Sequence, residues 1–171
     1  MSWWSRLVGG TSERDSSRPV DFLKEALDLE SRGDYSNALT SYRLALRAHP
    51  DDLRVLQNMA IAFSRTAQPE EAIRSYRRAL QIDPQLGGSH YGLAFLLLKR
   101  GDTAHAAMHL ENFLRINTGT DPASEKFRAH AEQTLRELKN PGAGDQSTAP
   151  APPASPAAPA APAAPAAPAE E

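Results

Sequence analysis

The stretch Leu44-Ala45-Leu46-Arg47-Ala48-His49-Pro50 has a physical counterpart 34 residues further on, Arg78-Ala79-Leu80-Gln81-Ile82-Asp83-Pro84. Small, apolar and breaker positions fall on one another, and the two prolines are one period apart. A further period brings Leu114-Arg115-Ile116 onto Leu80-Gln81-Ile82, with Thr118 where a third proline would stand. Self-similarity at a fixed spacing of this length is the signature of a repeat architecture, in which each unit buries its apolar face against its neighbours. The period divides the chain into units 19–52, 53–86 and 87–120.

Each unit reads as two amphipathic helices. In the first unit Phe22, Ala26 and Leu29 fall at i, i+4 and i+7, and Ala38, Tyr42 and Ala45 repeat that spacing. Such a rhythm places all three side chains on one helical face. Between the helices, Gly33-Asp34 supplies a stop followed by a capping carboxylate, and Gly101-Asp102 does the same in the third unit. The second unit has Ala67-Gln68-Pro69, a weaker cap, although Pro69 suits a first helical turn. Ala26, Ala60 and Ala94 share one register position, and Ala38, Ala72 and Ala106 another. Small residues at fixed points on both helices allow close antiparallel packing, with Tyr42, Tyr76 and Leu110 filling the space between.

On these residues the pattern resembles the tetratricopeptide repeat family, whose unit is a 34-residue helix–turn–helix. The resemblance covers about 19–120 and implies an all-α fold, a right-handed helix–turn–helix solenoid of three repeats. The third unit departs from the pattern at Phe113, where the others have Ala45 and Ala79, so the next element should pack differently from another full repeat. That element is 121–140, opened by Asp121-Pro122, with Phe127, Ala131, Leu135 and Leu138 as one apolar stripe. A C-terminal capping helix of this kind covers the open end of a repeat stack.

The flanks read differently. Residues 149–169 hold 12 Ala, 8 Pro and one Ser. With no apolar bulk and frequent proline, the segment 141–171 is expected to be a disordered, partly polyproline II spacer. Residues 1–18 form an N-terminal arm with Trp3 and Trp4 in a short apolar knot. Adjacent exposed indoles are costly in water, so the arm is expected to dock on a groove, a partner or a membrane interface, the alternative being no specific role.

Composition narrows the function. The 171 residues carry a formal charge of −2, and the charge over residues 1–140 is close to neutral, which argues against a dedicated nucleic-acid binder. With no cysteine there is no disulfide framework or thiolate site, which suits a reducing, cytoplasmic location with peripheral membrane contact left open. The longest apolar run, Leu93 to Leu98, falls far short of a bilayer span. No phosphate-cradling glycine loop or walled carboxylate pair is present. Asp102, His105 and His109 could share one helical face, but the repeat geometry assigns that face to the solvated convex side. No catalytic residue, metal site or cofactor is therefore expected. Arg74, Arg77 and Arg78 form a modest basic patch, read as a solvated face.

In the resembled family, set positions of each first helix line a concave groove. Here one such position holds Leu27, Ile61 and Phe95, and the position one turn earlier holds Leu23, Gln57 and Tyr91. Arg54, Asn58, Arg65 and Lys99 lie on neighbouring turns. An apolar ladder with a basic rim suits a short helix or extended peptide with apolar anchors and acidic flanks. The bland alternative is that Leu27, Ile61 and Phe95 only thicken the core, or are covered by residues 1–18. Co-chaperone members of the family grip acidic chain ends with a five-residue clamp. Only Asn58 of it is kept here, the other positions being Leu23, Leu27, Gly88 and Gly92, so that role is not inherited. The expected function is a non-catalytic protein-binding adaptor or scaffold. The alternative is a self-associating or membrane-linked scaffold that works through Trp3 and Trp4.

Overall fold

A computed structural model describes residues 21–140; Trp3, Trp4 and the Ala-Pro tract lie outside the described residues. Seven helices follow one another: α1 (Phe22–Ser31), α2 (Tyr35–Ala48), α3 (Leu53–Arg65), α4 (Pro69–Ile82), α5 (Gly87–Lys99), α6 (Thr103–Ile116) and α7 (Pro122–Lys139). There is no strand among the described residues. Each helix packs against the next, α1 on α2 through to α6 on α7, which gives an all-α solenoid of three helix pairs closed by a capping helix.

The local chemistry explains the boundaries. Asp21, Asp34, Asp52, Asp102 and Asp121 each accept a backbone N–H from the first turn of the helix they precede. These bonds satisfy donors that a helix N-terminus otherwise leaves orphaned. The helix C-termini before the intra-unit turns repeat one device three times. Asp34, Gln68 and Asp102 donate their backbone N–H back to Leu29, Phe63 and Leu97, at 3.0, 2.9 and 2.9 Å. That closure requires the preceding residue to be left-handed, and Gly33 (φ +78°), Ala67 (φ +56°) and Gly101 (φ +85°) all are.

Packing follows the small positions. All six of Ala26, Ala60, Ala94, Ala38, Ala72 and Ala106 are fully buried, with Tyr42, Tyr76 and Leu110 between them. The contact is tightest at Gly92, where an added Cβ would lie 2.5 Å from Cζ of Tyr76. A main core runs through the first two units and into α5, and a second forms where α5 and α6 meet α7. The stripe Phe127, Ala131, Leu135 and Leu138 is the side of α7 that joins this second core. Ala131 takes the buried small position there, 37 residues after Ala94 rather than 34, so α7 stands where a fourth first helix would but out of period. Phe113 stands where the earlier units have Ala45 and Ala79, and its ring sits 5.0 Å from that of Tyr91.

Candidate functional site

The odd-numbered helices are neighbours along one side of the stack. Gln57 Nε2 on α3 donates to Ser89 Oγ on α5 at 3.0 Å. From α5, Tyr91 meets Phe127 of α7 edge-on with centroids 5.2 Å apart, and Phe95 stacks on His130 at 4.8 Å. The side chains that follow each buried alanine, at one and five residues on, share a face of these helices. On α1 that face carries Leu27, on α3 Ile61 and Arg65, and on α5 Phe95 and Lys99.

Solvent contact differs along this face. Leu27 is 42% exposed, a large value for a leucine, while Ile61 and Phe95 are partly buried against the two cores. Arg65 and Lys99 occupy the last turns of α3 and α5, are exposed, and have no ion-pair partner among the described residues. Arg54 opens α3, where it lies 3.8 Å from the capping carboxylate of Asp52. Leu23 is partly buried on α1.

Three residues expected on the groove are committed elsewhere. Asn58 and Tyr91 are buried, at 5% and 2% exposure. The Tyr91 hydroxyl and His130 Nδ1 are hydrogen-bonded at 2.7 Å, so Tyr91 ties α5 to α7 and is not a free anchor. Burial pushes its phenol well above the ordinary range, so it stays neutral. Gln57 spends its amide on Ser89. The five-residue clamp does not assemble: Asn58 is buried, and the Gly92 position is filled by the Tyr76 ring.

The histidines correct the expectation of a solvated convex face. His105 is exposed and bonds Asp102 through Nδ1 at 2.8 Å. His109, however, is partly buried and faces His90 of α5, with Nδ1 to Nδ1 at 2.8 Å. His90 Nε2 donates to the Pro84 carbonyl at 3.1 Å, which leaves its Nδ1 to accept from His109. Burial, then the neighbouring charges of His90, Arg77 and His105, lower the His109 pKa to about 4. Burial lowers those of His90 and His130 as well. No three carboxylates or imidazoles among the described residues are placed to hold one metal ion. The basic patch on α4 is partly spent: Arg74 pairs with Glu71, and Arg78 donates to the Pro50 carbonyl at 2.7 Å.

Two contributors lay beyond the periodic reading. His130 lies against both Tyr91 and Phe95, and Arg136 takes on α7 the register of Arg65 and Lys99, five residues past the buried alanine. Arg136 is exposed, in the last turn of α7, with no carboxylate within ion-pair distance among the described residues. The three cations thus form a row across α3, α5 and α7. Their signal in the sequence is the apolar stripe of α7, aligned by its own alanine rather than by the period.

Comparison with known proteins agrees with this fold. Residues 23–85 match the family model described as tetratricopeptide repeat. A small glutamine-rich tetratricopeptide repeat-containing protein of Mycosarcoma maydis is 24% identical over 140 residues, covering 82% of this chain; the chain spans 39% of that relative's length. Among solved structures, the Sgt2 TPR domain of Aspergillus fumigatus superposes with a TM-score of 0.61 at 23% identity, over 80% of this chain and 93% of that one. The Yersinia enterocolitica type III secretion chaperone SycD, solved with a peptide of the translocator YopD, superposes with a TM-score of 0.64 at 19% identity, over 69% and 89%. The repeated helix pairs, the match over residues 23–85 and these likenesses converge on one fold: the described residues form a tetratricopeptide-like helical solenoid.

Proposed function

We propose that the face shared by α1, α3 and α5 binds a segment of another protein, which makes the chain a non-catalytic adaptor or scaffold. The single observation that carries this reading is the row Leu27, Ile61 and Phe95 beside cations that have no carboxylate of their own. Leu27 and Ile61 are the apolar anchors. Phe95 contributes its edge, since His130 covers its face. Arg65 and Lys99, extended by Arg136 on the cap, favour an acidic flank of the ligand; Arg54 marks the other end of α3. SycD, which shares the fold, is solved with a peptide of its translocator, and that supports a peptide as the ligand class here.

The working unit of this reading is the three repeats 19–52, 53–86 and 87–120 with the cap 121–140, the tail 141–171 serving as a spacer. The setting is cytoplasmic, and no cofactor takes part. Among the described residues no helix is long and apolar enough to cross a membrane. Affinity capture with intact protein and with Ile61→Glu tests the assignment. The variant is expected to lose the partner while its circular dichroism is unchanged, because Ile61 is only partly buried. An Ile61→Glu chain that folds and still retains the partner overturns the groove assignment.

A further inference from the structure

The stack has a notch at the first-helix N-terminus of its first and third units, and the two notches are built from the same register positions. The first is about 520 Å³ and is lined by Leu23, Ala45 and Val55; the other is about 290 Å³ and is lined by Tyr91, Phe113 and Ala123, each 68 residues on. Between them, the corresponding lips of the second unit are Gln57 and Ser89, which are hydrogen-bonded to each other. Three equivalent sites therefore meet three fates. The middle one is bridged by side chains, and the third is partly filled by an aromatic ring, Phe113. The first has Ala45 at that place and stays open.

We propose that this first notch is a binding site for one bulky aromatic side chain, and that its occupant is the chain's own Trp3-Trp4 segment. The size leaves room for it, since pockets of about 300–1,000 Å³ bury most of a drug-sized group, which is larger than an indole. The floor is apolar, with Phe22, Leu23 and Val55. The rim carries the carboxylates of Asp21 and Asp52 together with Arg54, which lies 3.8 Å from Asp52, so Asp21 is the carboxylate left to meet Arg6, two residues from Trp4. Position favours the same chain. Sixteen residues separate Trp4 from Asp21, which is itself on the rim. A tether that short holds the indoles at an effective concentration on the order of millimolar. Two adjacent tryptophans bury about 150–250 Å² each when they leave water. Docked there, the arm covers Leu23 and stands beside Arg54, and so competes with a ligand that enters the groove from this end.

Trp3 and Trp4 are the only tryptophans in the chain, so intrinsic fluorescence reads the arm directly. The full-length protein is expected to emit to the blue of a peptide of residues 1–18, with several-fold weaker quenching by acrylamide and no change on hundredfold dilution. Ala45→Phe, which copies Phe113 into the first notch, is expected to return both properties to the peptide values with helicity intact. Ala48→Glu, at an exposed position on the notch, is the second variant should Ala45→Phe fail to fold, and is expected to act in the same direction. Peptide-like emission in the wild type overturns the proposal. So does a blue shift that fades on dilution, which assigns the arm to a second copy, or one that appears only with anionic phospholipid vesicles, which assigns it to a membrane. A blue shift that persists in folded variants of both kinds overturns the notch as the site.

Discussion

Ala67 stands at φ +56° where the other two units have glycine, at the one turn residue that closes each helix pair. A Cβ in the left-handed region costs roughly 1–2 kcal/mol, and glycine gives part of that back as extra freedom in the unfolded chain. Ala67→Gly is therefore expected to stabilise the fold by about 0.5–1 kcal/mol, seen as a rise of a few degrees in Tm. Gly92 has the opposite sign. Replacing a mid-helix glycine with alanine ordinarily helps by roughly 0.5–1 kcal/mol. Here the new methyl meets the Tyr76 ring, and overpacking of that kind costs about 1–3 kcal/mol. Urea titration of Gly92→Ala should show the loss, and adding Tyr76→Leu, the solution the third unit uses at Leu110, should recover part of it. The buried histidines set a pH dependence. In the unfolded chain they take up protons near pH 6.5, whereas His109 in the fold does so only at about 4. Between those values the unfolded state binds more protons, so stability falls as the pH drops from 6.5 towards 4. Discounted for half-exposure, His109 contributes roughly 1–2 kcal/mol of this loss, with His90 and His130 adding in the same direction. Urea midpoints at pH 7.5, 5.5 and 4.5 measure it.

At the scale of elements, α7 decides where the stack ends. Phe127, Leu135 and Leu138 cover rings and chains of the third unit that face water without them. Phe127 is partly buried, so Phe127→Ala is expected to cost roughly 1–3 kcal/mol, below the full range for a core phenylalanine. Because repeat stability is largely a sum of neighbouring contacts, the loss should fall on the third unit first. Hydrogen exchange resolves this: protection should drop in α5 and α6 more than in α1 and α2. An equal drop throughout would mean the stack unfolds as one unit. The same element explains what was and was not legible beforehand. The periodic apolar positions of α7 identify a cap, and the cap is there. Which third-unit residues it would claim depends on an offset of three residues that no period announces. Tyr91 therefore looked like a groove anchor and is instead the partner of His130.

At the scale of the whole molecule, the proposed groove is a charge pattern spread over three helices. Arg65, Lys99 and Arg136 lie far apart in sequence and belong to separate helices, yet they share one register. Rim charges act mainly on association rate and salt sensitivity. Reversing Lys99 and Arg136 to Glu should slow association of the partner about tenfold at low salt and flatten its salt dependence, whereas Ile61→Glu should act chiefly on dissociation. Association kinetics across a salt series separate the two. A partner whose binding ignores both charge reversals has no acidic flank.

The sequence by itself determined that this is a stack of repeats, because a fixed 34-residue period of small, apolar and capping residues builds units that bury their faces only against their neighbours. Buried alanines, aspartate caps and left-handed turn residues are local requirements, so they can be read locally. The 34-residue register put Leu27, Ile61 and Phe95 at one equivalent position, and the resemblance assigned that position to a groove. What only the tertiary structure decided is which side chains are already spent. Asn58 is buried, Gln57 is bonded to Ser89, Tyr91 is held by His130, and His109 faces His90 across two helices. Each of these depends on the distance between residues remote in sequence, and on the volume of a neighbour such as Phe113, which helical periodicity does not carry.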